Sequence, residues 1–361
     1  MIEHLDKRGF YEVWVGEHHS GGFEVIAAPE IFIAAAAERT KNIRLGTGVK
    51  SISFYHPYLL ADAMVQLDHM TSGRVMFGIG PGALPADAYR LGIDVAIQRR
   101  RMNEAIDAIV PLLEGKVVDA ETDWFVIREG QLQLPSYTKP RMEMAVTTMT
   151  SPAGVQVAGR HGLGVLVLGS VSDEAVALHA KNWGIYEETC AENGHAADRE
   201  NWRVTVFMHL AETMEQARQD LAFGFDDWVD YSHDVLPATP IPPEVPKADW
   251  LDHAIDSKFC IVGTPEDAIR EIERINAGLG GFGKLLILAH NWAPFDRTLN
   301  SYDLFARYVA PHFTGKNELR RTSYDYSRDN LAFARDFNKA VQQSQDDWEK
   351  RQKEKDKSAA E

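Results

Sequence analysis

Cysteine is almost missing from this 361-residue chain: there are two, Cys190 and Cys260, far apart and outside any metal-ligand spacing. That excludes a disulfide framework and a cysteine zinc site. Positive charge is also scarce, with 38 Lys and Arg against 53 Asp and Glu and a formal net charge of −15. A nucleic-acid partner needs a basic face, so it is not expected here. A small phosphorylated ligand held by backbone amides stays open. No apolar run approaches the roughly 20 residues that span a bilayer. The opening, Met1 to Gly9, reads as an amphipathic helix already under way rather than as a secretion leader. A soluble cytoplasmic protein is the expectation, and a 45% hydrophobic fraction is enough to build its core.

Short apolar runs alternate with helical patterns, the mark of parallel βαβ units. The runs predict strands over Glu12–Gly16, Ile43–Gly48, Val75–Gly80, Glu143–Thr148, Gly164–Leu168, Arg203–Leu210 and Leu285–Ala289. Pro29, Pro57, Pro152 and Pro265 open predicted helices, because proline presets φ where no amide donor is needed. A closed (β/α)8 barrel needs eight strands, and the first helix has none before it. The expectation is therefore a TIM-type α/β barrel lacking its first strand, with a further strand of about five or six residues upstream of Met1.

Residues 1–315 are read as the barrel and 316–361 as a charged helical extension. That extension carries Tyr324, Tyr326, Phe333 and Phe337 at helical spacing. Two insertions interrupt the barrel. Residues 116–137 read as a small β-excursion. Residues 224–249, rich in Trp, Asp and Pro (Pro237 among them), suit either a lid or a strap on the barrel's outside.

Barrels of this type carry their functional groups at the C-terminal ends of strands. Glu17-His18-His19 follows one such end and offers acid–base chemistry. A metal is not expected, because the other strand-end imidazole, His290, has Asn291 beside it and no acidic neighbour in sequence. Gly46-Thr47-Gly48-Val49 ends the next strand, where small residues leave room for a flat ligand. Ser72 to Gly82 is similar to a nucleotide-binding glycine loop, but no helix follows at the required spacing, so a Rossmann fingerprint is rejected. Asp68 and Arg74 are expected to form a structural ion pair. Thr147, Thr148, Met149, Thr150 and Ser151 end a strand just before a helix, where hydroxyls and free amides can hold a phosphate.

In order along the chain, "GFYEVWVGEHH", "IRLGTGV" with "HP", "QLDHMTSGRVMFGIGPG", "YRLGIDV", "IVGTPEDAIREI" and "SYDLFARYVAPHF" resemble the luciferase-like monooxygenases, within them the limonene-monooxygenase-like branch. The resemblance implies a flavin-dependent monooxygenase on a (β/α)8 barrel. It puts His18 in the place of the family's catalytic histidine. It puts Gly48-Val49 where a non-prolyl cis peptide often supports the flavin ring, and Thr150 and Ser151 at the flavin phosphate. Gly80 matches a reactive-cysteine position, and Pro81 replaces a phosphate-contacting arginine. The implied chemistry has two components: a separate flavin reductase supplies reduced FMN, and molecular oxygen is transferred to a small organic substrate. A homodimer is implied as well. The same fold also suits a deazaflavin-dependent dehydrogenase or a flavin-binding partner subunit without catalysis.

Overall fold

The structure, a computed structural model, describes residues 1–169, 171–236, 240–330 and 332–358. It divides into a unit of Met1–Val309 and a unit of Ala310–Glu361. The first unit is built on a curled parallel sheet. In chain order its strands are β1 (Glu12–Val15), β2 (Arg44–Thr47), β3 (Lys50–Ser51) and β4 (Val75–Gly80). After a separate hairpin of β5 (Val118–Glu121) and β6 (Val126–Gly130) come β7 (Glu143–Thr148), β8 (Gly164–Val167), β9 (Trp202–Leu210), β10 (Cys260–Gly263) and β11 (Lys284–Leu288).

The sheet runs β1-β2-β4-β7-β8-β9. β3 continues the line of β2, because β2 pairs with Val75–Met76 and β3 with Ile79–Gly80 of the same neighbour. β9 is long enough to hold two partners, β11 along 203–207 and β10 along 207–210. β4, β8 and β10 are buried throughout, as expected of parallel strands covered on both faces.

The ring is open. Among the described residues β1 pairs only with β2 and β11 only with β9. A cavity of about 160 Å³ is lined by Val13, Trp14, Leu286, Leu288, Phe10 and Tyr302, among others. The seven ring strands stand where the apolar runs predict them, and β3 and β10 are additional.

The helices obey local rules. Pro29, Pro57 and Pro265 sit at the starts of helices Pro29–Arg39, Pro57–Met70 and Pro265–Leu279. The last of these has a reciprocal Thr264/Asp267 cap and stops at Gly280 in the left-handed region, φ 70°. Asp6, on helix Ile2–Arg8, accepts hydrogen bonds from the amides of Lys41, Asn42 and Ile43 and so fixes the approach to β2. No described helix is long and apolar enough to cross a membrane.

The 224–249 insertion opens with helix Phe225–Asp234. Its Phe225 and Trp228 are packed with Trp292, Phe207 and Phe259 in a second core. On the same helix Tyr231 stacks on Phe23, ring centroids 4.5 Å apart, in the loop after β1. An ordered helix thus reaches the loop that bears His18; Pro237 lies outside the described residues. The 116–137 insertion contains the β5–β6 hairpin. The second unit contains helices Glu318–Asp329 and Ala332–Ser358. Tyr324, Tyr326, Phe337 and Trp348 are exposed on it, and the Phe333 side chain lies outside the described residues.

Candidate active site

β1 ends at Val15, and the next residues turn into a loop over the C-terminal ends of the strands. Glu17 is wholly enclosed there. Its carboxylate accepts from the Tyr55 hydroxyl at 2.6 Å and the Ser51 amide at 3.1 Å, and bonds the His19 ring at 2.9 Å. The buried Lys50 ammonium stands 3.3 Å away and also donates to Glu30. Burial first, and then the adjoining Glu17 carboxylate, push the Tyr55 hydroxyl far above its usual pKa, so it remains a donor. Glu17 and His19 are therefore committed to tying the loop to β3.

His18 has more freedom. Its Nδ1 is 3.3 Å from Asp87 and its Nε2 is 3.5 Å from Glu24, a side chain 61% exposed. Asp87 comes from helix Pro85–Arg90 and also accepts from the His19 amide and the Ser20 hydroxyl. Burial opposes its ionisation, yet these bonds hold its carboxyl below the usual range.

The Gly48–Val49 peptide, at the end of the neighbouring strand, is cis. A Cβ placed on Gly16 would lie 2.9 Å from the Glu24 carboxylate and 3.5 Å from the Gly48 carbonyl. The His18–Glu24 pair and the cis peptide therefore stand at one place. Gly46 has a different reason to be glycine: a Cβ there would strike the Trp14 ring at 2.4 Å. The room left by this residue is filled by the chain itself. A Cβ on Gly80 would meet both Val49 and Thr147 at 2.8 Å, so these three form a close-set wall. Thr147 turns its methyl to that wall, and its buried hydroxyl has no hydrogen-bond partner among the described residues. A flat ring with hydrogen-bonding edges suits such a place, since a buried hydroxyl without a partner is costly.

Beyond β7, Met149, Thr150 and Ser151 are exposed just before helix Ala153–His161. Ser151 accepts from the Ala153 amide, and Thr148 donates to the Ser151 carbonyl. The Pro81 carbonyl accepts from Ser53.

His290 stands elsewhere. Its ring stacks on Trp292 at 4.3 Å and bonds the Met208 carbonyl at 3.0 Å, in the second core. Its neighbour His209 bonds Asp220 at 3.1 Å. The expected Asp68–Arg74 ion pair is corrected. Asp68 accepts from the Thr138 amide and hydroxyl, while Arg74 donates to Thr40 and to the carbonyls of Ala37 and Ile43. Asp87 and Glu24 are the site residues that sequence reasoning passed over. Asp87 is 69 positions from His18, and nothing local marks it.

The model of the luciferase-like monooxygenase family matches residues 1–281. A limonene 1,2-monooxygenase of Rhodococcus erythropolis is 43% identical, over 95% of this chain and 88% of that protein. A 4-hydroxyprotoasukamycin monooxygenase of Streptomyces nodosus subsp. asukaensis is 40% identical, over 90% and 89%. Among solved structures, the monooxygenase RslO1 of Streptomyces bottropensis superposes with a TM-score of 0.75 at 26% identity, over 87% of this chain and 92% of that one. The chain belongs to the luciferase-like monooxygenase family. It is an enzyme, a flavin-dependent monooxygenase.

Proposed function

We propose that the enzyme takes reduced FMN from a separate flavin reductase and uses molecular oxygen to oxygenate a small, largely apolar organic compound. The observation that carries this reading is the meeting of His18 and Glu24 with the Gly48–Val49 backbone, beside a Thr147 hydroxyl that has no hydrogen-bond partner among the described residues. When bound, the reduced flavin supplies the electrons that activate oxygen. The Gly48–Val49 backbone, Gly80 and Thr147 would face its ring, with Gly46 acting behind them by seating Trp14. Met149, Thr150, Ser151 and the first amides of helix Ala153–His161 would hold the phosphate, whose charge the helix N-terminus favours. Val49, Leu166 and Leu168 line apolar space that keeps water from the reacting centre. His18 holds or moves a proton there, and Glu24 can swing toward or away from its Nε2.

Anaerobic titration with reduced FMN, riboflavin and a deazaflavin coenzyme tests the reading, followed by rapid mixing with oxygen. FMN is expected to bind best. Thr150→Ala with Ser151→Ala should weaken FMN by about 1.5–3 kcal/mol for each lost bond to the phosphate and leave riboflavin nearly unchanged. Equal losses for both would move the phosphate elsewhere. Preferential binding of the deazaflavin would overturn the choice of FMN.

A further inference from the structure

The loop that carries His18 is anchored by a carboxylate whose two oxygens do different jobs. We propose that Asp87 is a positioning residue that keeps the His18 ring proton on Nδ1 and thereby makes Nε2 the nitrogen that exchanges a proton during oxygenation. The proposal rests on the role given to His18 above.

One oxygen of Asp87 accepts from the His19 amide at 3.1 Å and from the Ser20 hydroxyl, which fixes the backbone of the loop. The other faces His18 Nδ1 at 3.3 Å. Asp87 is 4% exposed, and among the described residues its one ion-pair partner is His18. It therefore makes no salt bridge to lysine or arginine that would explain a buried carboxylate. Its hydrogen bonds keep it ionised against the cost of burial, and an ionised carboxylate can only accept. The nitrogen facing it must carry the hydrogen.

Nε2 faces Glu24, which is largely exposed and beside the Gly48 carbonyl. The Tyr231 hydroxyl is a further titratable group close to Glu24 and Asp87. Burial first, and then the Glu24 and Asp87 charges, push it upward, so it stays neutral. A tautomer set by a carboxylate on one nitrogen determines what the other nitrogen can do.

The separation of jobs makes the test clean. In Asp87→Asn the amide oxygen can still accept from His19 and Ser20, while the amide NH2 faces Nδ1 as a donor. Nitrogen-15 spectra of the imidazoles, with His18 assigned by its loss in His18→Gln, should show Nδ1 protonated in the parent enzyme and Nε2 protonated in Asp87→Asn. Oxygenation should fall on the order of 10²-fold. Reduced-FMN affinity and the melting temperature should stay unchanged, and Asp87→Glu should recover part of the rate. Added to His18→Ala, Asp87→Asn should cost nothing more. An unchanged nitrogen pattern, or losses that add in the double variant, would overturn the proposal. Inversion of the tautomer with no loss of rate would overturn its catalytic part, and His18→Ala alone then shows whether His18 itself was wrongly assigned.

Discussion

At the N-terminal ends of the strands an arginine is gripped by buried carboxylates, whereas at the C-terminal ends, beside the Lys50–Glu17–Glu30 cluster, two carboxylates face the imidazole of His18. Arg203 of β9 is fully buried and forks onto Glu12 of β1 through two bonds of 2.8 Å. It also reaches Glu143 of β7, which Arg44 of β2 holds at 2.6 Å. Four strands are thus braced across the interior, and the guanidinium lies 5.1 Å over the Trp14 ring. Arginine keeps its proton at every accessible pH, so this brace is fixed. At the other end His18, 17% exposed, has a carboxylate at each ring nitrogen, and one of the two can move away. The same kind of contact braces strands in one place and, in the function proposed for His18, guides a proton in the other. What separates them is the cation and the freedom of its partners.

The comparison breaks most severely at the brace. Arg203→Met leaves Glu12 buried without its fork, and removing one partner of such a pair costs about 3–5 kcal/mol. That is a large share of a typical stability of about 5–15 kcal/mol. Urea unfolding should show the loss, while oxygenation per folded molecule stays near the parent value. A loss below about 1 kcal/mol would mean that the brace does not hold the strands.

His18→Ala is the opposite case. Oxygenation should fall about 10²–10⁴-fold, the range for a positioned acid or base. Melting should be unchanged and reduced FMN should still bind. Turnover within a few-fold of the parent would remove His18 from the chemistry.

The smallest effect belongs to the second core. Burial pushes the His290 ring down to about 4, opposed by its bond to the Met208 carbonyl. Burial also lowers His209 despite Asp220 beside it. The His290 ring is neutral in the folded state near pH 6, while an unfolded histidine gains its proton around pH 6.5. The unfolded chain therefore binds more protons between about pH 6.5 and 4, and stability should fall as pH drops through that window. Replacing His290 by Gln should flatten the dependence of the urea midpoint on pH there, with the Arg203 brace unaffected. An equally steep dependence in the variant would place the titrating group elsewhere.

Much of the barrel is legible in the sequence alone. Val75–Gly80 and Glu143–Thr148 are legible to the residue; the first is buried on both faces and forms an unbroken run of apolar residues and glycine, and the second centres on the buried Met144–Val146. β3 was not legible: two residues beginning with a lysine make no pattern, and their pairing with Ile79 and Gly80 defines them. β10 was hidden because four residues run directly into the Thr264 cap, and among the described residues they pair only with the far half of β9. Asp68 and Arg74 misled for a related reason. Nearness in sequence across a helix end does not say which way side chains point, and each found partners elsewhere.

By itself, then, the sequence determined the alternation of strands and helices, the helix starts at proline, and the strand end that presents His18. These depend on residues within a turn or two of one another, so local propensity and periodicity carry them. Only the tertiary structure decided which charges face His18, that Glu17 is tied up by Lys50 and Tyr55, and that Gly46 makes room for Trp14. Those partners come from different strands and loops. Strand order and register bring them together, and a carboxylate on the six-residue helix Pro85–Arg90 reads like any other helical aspartate until they do.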